Sequence, residues 1–398
     1  MKIKQHIKAV ALTAALATGA TMASAQDKEP IRFGLCFDLS KSYTFISPQV
    51  AQAAQDLAMY TNENGGIEGH PVEIVVRDHG NEPQRGVECY EQLKRDGVFI
   101  FNFLSTPVTN AVLPRAMKDG NVLMQSFVGR GDAVDGEVFA FIKNQMDGDL
   151  GDAKIGFVYL DYPFGQEPIE ILKTLSEKEG FELELYPVPL PGSDQSGAWS
   201  KIRRDKPDYV ISWLLAGGHV VASKEMRRNR FPIDRYLSVN WLNEVDIANI
   251  GAEEAKGILR GTNVAGGQEV PIVKTMLETY YANGKGSGPE SLVRDVYYNT
   301  GMAIYSAGFE AARIAITENG WPITPESMKN AYESIENFDG DGVMAPVTVT
   351  GEDHGGGGKT RVEQWDGETW VPLTDWSADY LDVVWDVIKE SSEKFTVE

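Results

Sequence analysis

Segments with strand-like sequence alternate with segments of helical periodicity over residues 31–240. Ile31–Phe37 is a short β-rich run, whereas Gln49–Asn62 repeats apolar or small residues at the spacing of one helix face. Such alternation is typical of β-α-β units, whose parallel strands are covered by helices. A polar stretch at Asp147–Asp152 interrupts the pattern. We therefore expect an α/β fold with two successive three-layer αβα halves joined near residues 143–153, because a single sheet of that length is rare.

The predicted elements fall into an alternating part and a helix-rich part. The alternating part has predicted strands at Ile31–Phe37, Val72–Arg77, Val98–Phe103, Val122–Gln125, Ile155–Tyr159, Glu182–Pro187, Tyr209–Trp213 and Arg235–Asn240. Between these strands, helices are predicted at Gln49–Asn62, Glu82–Arg95, Pro107–Lys118, Glu167–Glu179, Gly197–Arg204 and His219–Asn229. The later part has predicted helices at Val270–Asn283, Val293–Asn319, Pro325–Glu336 and Ala378–Glu393. It also has predicted short strands at Val347–Thr350, Arg361–Trp365 and Trp370–Pro372, the last two joined by an Asp366-Gly367 hairpin turn.

The N-terminus has the three regions of a secretory signal peptide. Lys2, Lys4 and Lys8 precede an apolar, small-residue stretch, and Ala23-Ser24-Ala25 is an A-x-A cleavage site. We expect residues 1–25 to be removed and the protein to be a soluble, periplasmic one that begins at Gln26. No later run approaches the length of a membrane-spanning helix.

The charge balance excludes several classes of partner. The whole chain has a formal net charge of −21, and the mature chain would keep 34 basic and 58 acidic residues. Nucleic acids and anionic lipid surfaces both require basic faces, so neither is an expected partner. We expect a monomer.

Two cysteines, Cys36 and Cys89, would both lie in an oxidising compartment after export. Cys36 falls in the first predicted strand and Cys89 in the second predicted helix, which could pack on it. We expect a disulfide, the alternative being two buried thiols that act as small hydrophobic groups.

Sequence motifs for catalysis and metal binding are absent. The chain has no G-x-S-x-G, H-E-x-x-H or C-x-x-C motif, and its five histidines lack ligand spacing. Gly355–Gly358 before Lys359-Thr360 resembles a P-loop, but Asp353 stands where the first glycine is required. We therefore expect no enzyme activity, no cofactor and no metal.

Two predicted helices begin with a hydroxyl residue followed by proline. Ser47-Pro48 and Thr106-Pro107 both follow strands, and we expect Ser47 and Thr106 to act as N-caps. Ligands of open α/β sheets bind outside the carboxyl ends of the strands, where helix N-termini favour anions. Aromatic residues are abundant at the same strand ends and could line an apolar pocket: Tyr43, Phe45, Phe103, Phe127, Tyr162, Phe164, Trp213 and Trp241.

Four segments occur in an order typical of one protein family: Asn62–Gly69 with Val72–Asp78, Val158–Gly165, Lys206–Ile211, and Pro325–Phe338 with Val347–His354. In this order they resemble the type I periplasmic substrate-binding proteins of ABC transporters, the leucine/isoleucine/valine-binding group. Asn62–Gly69 followed by Val72–Asp78 is similar to that group's first-helix exit, and Val158–Gly165 to its strand that enters the second lobe. Lys206–Ile211 resembles a later strand of that lobe. Pro325–Phe338 followed by Val347–His354 resembles the helix-to-crossover segment, and the likeness spans about residues 31–374.

The resemblance implies two lobes joined by a three-crossing hinge, with a ligand between them and delivery to the permease subunits of an ABC transporter. Lobe one would comprise residues 26–145 and 267–340, and lobe two residues 146–266 and 341–398. The positions that match the family's ligand contacts are Ser105, Thr106, Ser126, Phe127, Gly129, Tyr162, Phe164, Trp213, Gly217, Asn240, Trp241 and Glu244. The first βα loop departs from the pattern, because it carries Lys41, Tyr43 and Phe45 where a small Gly-Pro-rich turn is usual.

These observations predict a small organic carboxylate as the ligand, held by hydroxyl donors within an apolar or aromatic pocket. Lys41 and Arg130 could add positive contacts. The ligand could be a branched-chain or related amino acid, whose ammonium group Glu244 or Asp295 could bind, or an aromatic acid, which the bulky first loop favours. A periplasmic ligand sensor on the same fold, which presents its bound state to a receptor, is the alternative function.

Overall fold

The structure is a computed structural model that describes residues 28–124, 131–239, 241–268 and 270–393. The predicted signal segment 1–25 and the start of the mature chain at Gln26 lie outside these residues and stay predictions. No helix within the described residues is long and apolar enough to cross a membrane.

The first sheet has four parallel strands in the order β2-β1-β3-β4. Its strands are β1 (Ile31–Phe37), β2 (Val72–Asp78), β3 (Ile100–Asn102) and β4 (Val122–Leu123). The connecting helices are α1 (Ser47–Glu63), α2 (Pro83–Arg95) and α3 (Thr106–Asp119). The buried residues of α1 include Val50, Ala53, Ala54, Leu57 and Ala58, which are the apolar positions that predicted this helix.

The second sheet has seven strands in the order β11-β10-β9-β8-β7-β5-β6. Its strands are β5 (Lys154–Leu160), β6 (Glu182–Val188), β7 (Tyr209–Trp213), β8 (Tyr236–Val239), β9 (Leu259–Thr262), β10 (Arg361–Trp365) and β11 (Trp370–Pro372). The first five run parallel to one another, and β10 and β11 form the predicted antiparallel hairpin. Helices of this half are α4 (Gly131–Gln145), α5 (Pro163–Gln166), α6 (Ile169–Glu179), α7 (Ser196–Asp205), α8 (Gly218–Asn229) and α9 (Glu244–Ile250).

The helix-rich segment returns to the first sheet. It comprises α10 (Pro271–Thr275), a π-helical turn (Met276–Tyr280), a 3-10 turn (Tyr281–Asn283), α11 (Glu290–Val293), α12 (Val296–Asn319) and α13 (Pro325–Tyr332). The long helix α12 packs against α1 and α13. Gly301 of α12 permits this approach, because a Cβ there would lie 2.6 Å from the Cβ of Ala53 and 2.9 Å from the carbonyl oxygen of Val50.

The chain passes between the two sheets three times, after β4, after β9 and after α13. The second and third passages run side by side, because Val264 and Met344 form an isolated antiparallel bridge. The final helix, α14 (Leu381–Glu393), packs against α4 and α6, and α4 itself packs against β9 and β10 of the second sheet. These findings confirm the expected fold class of two parallel-rich α/β units.

Two predicted helix caps are wrong. The N-cap of α1 is Ile46, so Ser47 lies inside the helix, and its buried Oγ has no hydrogen-bond partner. Ser105 precedes α3 as the N-cap and makes no side-chain capping bond, and Thr106 is the first helical residue. In both cases the helix begins one residue earlier than proline at the first position would require.

Two other predicted elements differ from the structure. Val347–Thr350 is not a strand, since only Val347 makes an isolated bridge, to Phe338. The predicted helix 293–319 is interrupted, because Asp295 breaks from helical geometry and its side chain accepts a hydrogen bond from the Tyr297 amide. An aspartate cap therefore starts α12 at Val296.

The expected disulfide between Cys36 and Cys89 is present and joins β1 to α2. Both residues are buried in a cluster that also contains Tyr90, Leu93 and Phe101. The bond closes a loop between residues 53 positions apart.

Replacing both cysteines by alanine is expected to lower the free energy of unfolding by about 2–4 kcal/mol, because the open chain regains loop entropy in the unfolded state. Urea unfolding of the variant and of unreduced wild type measures this difference. A reduced wild type should match the variant, and equal stability of all three would contradict the expectation.

Candidate functional site

The carboxyl ends of the two sheets lead into loops that meet through aromatic side chains. Six rings form what we call the aromatic cleft: Tyr43, Phe45, Phe164, Trp213, Trp241 and Tyr297. Tyr43 and Phe45 follow β1 of the first sheet, whereas Phe164, Trp213 and Trp241 belong to the second. The cleft thus combines the strand ends of both sheets, where open α/β folds bind ligands.

Trp241 is at the centre of this cleft. Its ring centroid lies 5.2 Å from that of Phe164, 5.7 Å from Phe45, 6.0 Å from Tyr297 and 6.5 Å from Tyr43. Trp213 contacts Phe164, with 6.1 Å between the two ring centroids. These separations are those of aromatic pairs in direct contact.

The indole N–H groups of Trp213 and Trp241 are buried and have no hydrogen-bond partner among the residues that the structure describes. Trp213 and Trp241 are 0% and 4% exposed, so both indoles are almost fully shielded from bulk solvent. A buried donor without an acceptor is costly in a native structure and calls for an explanation. The two indoles therefore offer unused donors within an otherwise apolar set of rings.

The loop after β1 is shaped by one carboxylate. Asp38, 1% exposed, accepts hydrogen bonds from the backbone amides of Ser40, Lys41, Ser42 and Tyr43. This arrangement turns the Tyr43 ring toward Trp241, and burial raises the pKa of the Tyr43 hydroxyl. Lys41 points away and pairs with Glu82, with half of its side chain exposed.

Ser105, Thr106 and Tyr162 lie at an edge where the two halves touch. The Ser105 hydroxyl donates to Asn81 Oδ1 at 2.7 Å, and Asn81 Nδ2 lies 3.3 Å from the Tyr162 hydroxyl oxygen. The Thr106 hydroxyl donates to Glu167 Oε1, also at 2.7 Å. These hydroxyls, which the sequence suggested as ligand donors, therefore bond to protein groups in this arrangement.

The other predicted site residues are distributed differently. Phe103 packs in the cluster around the disulfide and not among the rings of the cleft. Gly217 precedes α8 with a φ of +79°, and its amide donates to Asp246 Oδ1 at 2.8 Å. Burial raises the pKa of Asp246 to about 7. Ser126, Phe127, Gly129, Arg130 and Asn240 lie outside the described residues.

Glu244 and Asp295 approach the same helix terminus from opposite halves. Glu244 Oε2 accepts the Val296 amide at 2.8 Å, and Asp295 Oδ2 accepts Asn243 Nδ2 at 2.9 Å. Burial raises the pKa of both carboxyl groups, and the Glu244 charge adds to the shift at Asp295. The two acids suggested as ammonium ligands thus bond to backbone and amide groups.

Arg260 of β9 is completely buried behind Glu244. Its Nε and Nη2 donate to Glu363 Oε2 at 3.1 and 3.0 Å, and Nη1 donates to the Leu242 carbonyl oxygen at 3.1 Å. Nη1 also lies 3.7 Å from Glu244 Oε1, and the guanidinium is stacked 3.8 Å above the Trp370 ring. The remaining oxygen of Glu244 therefore faces a cation.

Tyr297 is the member of the cleft that sequence reasoning missed. Its hydroxyl donates to the Trp241 carbonyl oxygen at 2.6 Å, and its ring lies 5.9 Å from that of Phe45. The sequence pattern predicts a helix from Val293, which puts Tyr297 inside that helix and away from any loop. Asp295 before an apolar run is an N-cap signal that would have located it at the helix start.

No group of three or more metal-binding side chains is present among the residues that the structure describes. The site consists of aromatic rings, two unused N–H donors and carboxylates bonded to helix termini. Such an arrangement, apolar with a few polar groups, is suited to binding a small molecule.

Comparison with known proteins gives a family and a fold. The family model described as "Periplasmic binding protein" matches residues 30–369. Comparison with the curated proteins gives no match.

Solved structures share the fold over nearly their whole length. A protein of the Pseudomonas fluorescens group, titled an ABC transporter permease, is 28% identical, with a TM-score of 0.82 over 92% of this chain and 97% of that one. A Thermus thermophilus branched-chain amino acid ABC transporter with bound valine is 19% identical, with a TM-score of 0.77 and coverages of 90% and 99%. A solute-binding protein of R. palustris in complex with benzoate is 16% identical, with a TM-score of 0.70 and coverages of 88% and 98%. The chain belongs to the periplasmic binding protein family and has its type I fold.

Proposed function

We propose that this protein is the solute-binding component of an ABC importer, and that it closes two lobes around a small organic carboxylate with an aromatic or apolar body. The observation that carries the proposal is the aromatic cleft, with its two buried, unpaired indole N–H groups. Aromatic rings provide the apolar body of a pocket, and the N–H groups provide donors for an anionic oxygen. The family membership supports the binding role.

An aromatic acid fits these groups better than an amino acid. An α-ammonium group needs an available carboxylate, whereas Glu244 and Asp295 are bonded to Val296 and Asn243. The free oxygen of Glu244 faces Arg260 at 3.7 Å, so an ammonium group there would lie beside a guanidinium. Lys41, paired with Glu82, contributes no positive contact to the cleft.

The lobes of this proposal are residues 26–145 with 267–340, and residues 146–266 with 341–398. The two sheets and the three passages between them support a division of this kind. The packing of α4 on β9 and β10 supports moving the first boundary to before residue 131. The rings of the cleft contact one another, so a ligand could enter only after the halves separate.

Structures with the same fold hold ligands of the classes considered. The Thermus thermophilus protein holds valine and the R. palustris protein holds benzoate, and a further protein of this fold, from Thermomonospora curvata, is the substrate-binding protein of a fatty acid ABC transporter. The two named carboxylates differ in the ammonium group, which is the feature that the Glu244 environment disfavours here. Export to the periplasm, through the predicted signal segment, belongs to the same proposal.

A thermal-shift panel of aromatic acids, aliphatic acids and amino acids tests the ligand class. At about a hundred times the dissociation constant, a ligand should stabilise the protein by about 2.7 kcal/mol. We expect benzoate or a substituted benzoate to raise the unfolding temperature and L-valine to leave it unchanged. Stabilisation by amino acids alone would overturn the aromatic-acid proposal.

Transport and sensing are separated by a second assay. The liganded protein should stimulate ATP hydrolysis by its reconstituted transporter, and the ligand-free protein should not. If the liganded protein does not stimulate ATP hydrolysis but binds a receptor ectodomain only when ligand is present, the sensor function is favoured.

A further inference from the structure

Four residues connect the two halves of the protein beside the aromatic cleft. Asn243 and Glu244 follow β8 of the second sheet, whereas Asp295 and Val296 begin α12, which packs on α1 of the first. Two hydrogen bonds join them: Asn243 Nδ2 to Asp295 Oδ2 at 2.9 Å, and the Val296 amide to Glu244 Oε2 at 2.8 Å. We call this set the clamp.

The clamp connects two helix N-termini. Asn243 is the N-cap of α9, and Asp295 is the N-cap of α12. Each cap residue accepts a backbone amide of its own helix: Asn243 Oδ1 accepts from Asp246, and Asp295 Oδ1 accepts from Tyr297. The hydrogen bond from Asn243 Nδ2 to Asp295 Oδ2 then joins the two halves. Val296 is the first residue of α12, where an amide has no acceptor within its own helix. Glu244 supplies that acceptor from the other half, so separation of the halves would leave the amide without it.

The clamp brings two carboxyl groups together in a buried place. Asp295 is 4% exposed. The Glu244 side chain is 23% exposed, but the Glu244 Oε1 atom is buried and accepts no hydrogen bond from the described residues. The other charged groups that act on the pair are Arg260, Glu363 and Asp246, and the Tyr297 backbone amide donates a hydrogen bond to Asp295. Arg260 lies between Glu363 and Glu244, and Glu363 is also paired with Arg361. No salt bridge is found for Asp295 among the described residues.

We propose that this clamp holds the two lobes closed without touching the ligand, and does so best when the Glu244–Asp295 pair carries a proton. Like charges held together at one helix terminus repel, and one proton removes the repulsion. Glu244 and Asp295 are then positioning residues, which set how readily the cleft closes. The inference rests on the proposed two-lobe closure but not on the identity of the ligand.

The direction of the pH dependence follows from the pKa shifts. Burial in the closed arrangement raises the pKa of both carboxyl groups, and opening returns them to water. The closed form therefore binds more protons than the open form. Its advantage is complete below the ordinary carboxyl pKa and is lost as the pH rises through the raised values. Closure should consequently become easier as the solution is acidified.

Small-angle scattering of the ligand-free full chain between about pH 4.5 and pH 8.5 tests the clamp. For wild type we expect the radius of gyration to increase as the pH rises. Glu244→Gln keeps an oxygen for the Val296 amide but cannot lose a proton, so only Asp295 still titrates, with a pKa that burial still raises but the Glu244 charge no longer does. We expect its radius to increase less with pH than that of wild type.

Tyr297→Phe is the matched control. It removes one hydrogen bond between the halves, from the Tyr297 hydroxyl to the Trp241 carbonyl, and adds no titrating group. We expect a larger radius at every pH with the trend of wild type retained. Circular dichroism of each variant confirms that it is folded.

Two outcomes would overturn the clamp: a wild-type radius that does not change with pH, or a Glu244→Gln variant whose radius increases with pH as much as that of wild type. Because no ligand is added, either result leaves the aromatic-acid proposal standing. Conversely, failure of benzoate to bind would not affect these measurements.

Discussion

Trp241→Ala is expected to weaken the binding of an aromatic acid by at least about a hundredfold, the loss typical of a tryptophan hot spot. Trp241 contacts four rings, from Tyr43, Phe45, Phe164 and Tyr297, and so its loss opens the centre of the cleft. It also removes one of the two indole N–H groups that we assign to the carboxylate. Titration calorimetry with benzoate on folded variant and wild type measures the difference.

Trp241→Phe separates the two contributions. Phenylalanine keeps an aromatic ring in the cleft but has no N–H, so only the hydrogen bond to the charged ligand is lost. That bond is expected to contribute about 1.5–3 kcal/mol, or about a tenfold to hundredfold change in affinity. Binding by Trp241→Ala within about threefold of wild type would show that the ligand lies elsewhere.

Arg260→Met is expected to lower the free energy of unfolding by about 3–5 kcal/mol, because it removes both Arg260 donors from the buried Glu363 Oε2 and the cation beside Glu244. Glu363 Oε1 keeps its hydrogen bonds from Arg361. Arg260 and Glu363 are 0% and 1% exposed, and they face each other on the antiparallel strands β9 and β10. The guanidinium also supports the Leu242 carbonyl and the Trp370 ring. Chemical denaturation at neutral pH measures the loss.

Arg32→Met is the matched control for this variant. Arg32 also bonds to a glutamate on a neighbouring strand, Glu73, but the two side chains are 42% and 51% exposed. An exposed ion pair contributes at most about 1 kcal/mol. Equal losses in the two variants would contradict the view that burial makes the Arg260–Glu363 pair important.

The order of strands and helices could be predicted because it depends on local patterns. Apolar residues recur every three or four positions in α1, and continuous apolar runs mark β1 and β5. The disulfide was predictable for a related reason, since the predicted export would permit the bond and the strand-to-helix order places Cys36 near Cys89. The hairpin of β10 and β11 follows from a local Asp-Gly turn.

Contacts between distant residues could not be predicted in this way. Ser47 is a residue type that is common at N-caps. In the structure, however, the Ile46 and Ser47 amides both donate to the Tyr43 carbonyl oxygen, and the helix begins one residue earlier than expected. The sequence suggests Lys41 as an anion ligand, but the fold places Glu82 beside it, and the two side chains form an ion pair. The Arg260–Glu363 pair spans 103 positions and exists because β10 returns to the second sheet after the third passage.

The candidate site was only partly predictable for the same reason. The rings of Tyr43, Phe45, Phe164, Trp213 and Trp241 do meet, since each lies at or after the carboxyl end of a strand, and these strand ends of the two sheets lead into the same cleft. The hydroxyls of Ser105 and Thr106 instead donate hydrogen bonds to Asn81 and Glu167. Both partners are distant in the sequence, so no local pattern predicts these bonds.

Titration calorimetry of the wild-type protein with benzoate and with L-valine tests the ligand class most directly. The two compounds share a carboxylate and differ in the aromatic ring and the ammonium group. We expect heat and a single binding site with benzoate or its substituted forms, and no heat with L-valine. Binding of L-valine without binding of any aromatic acid would contradict the account of the cleft.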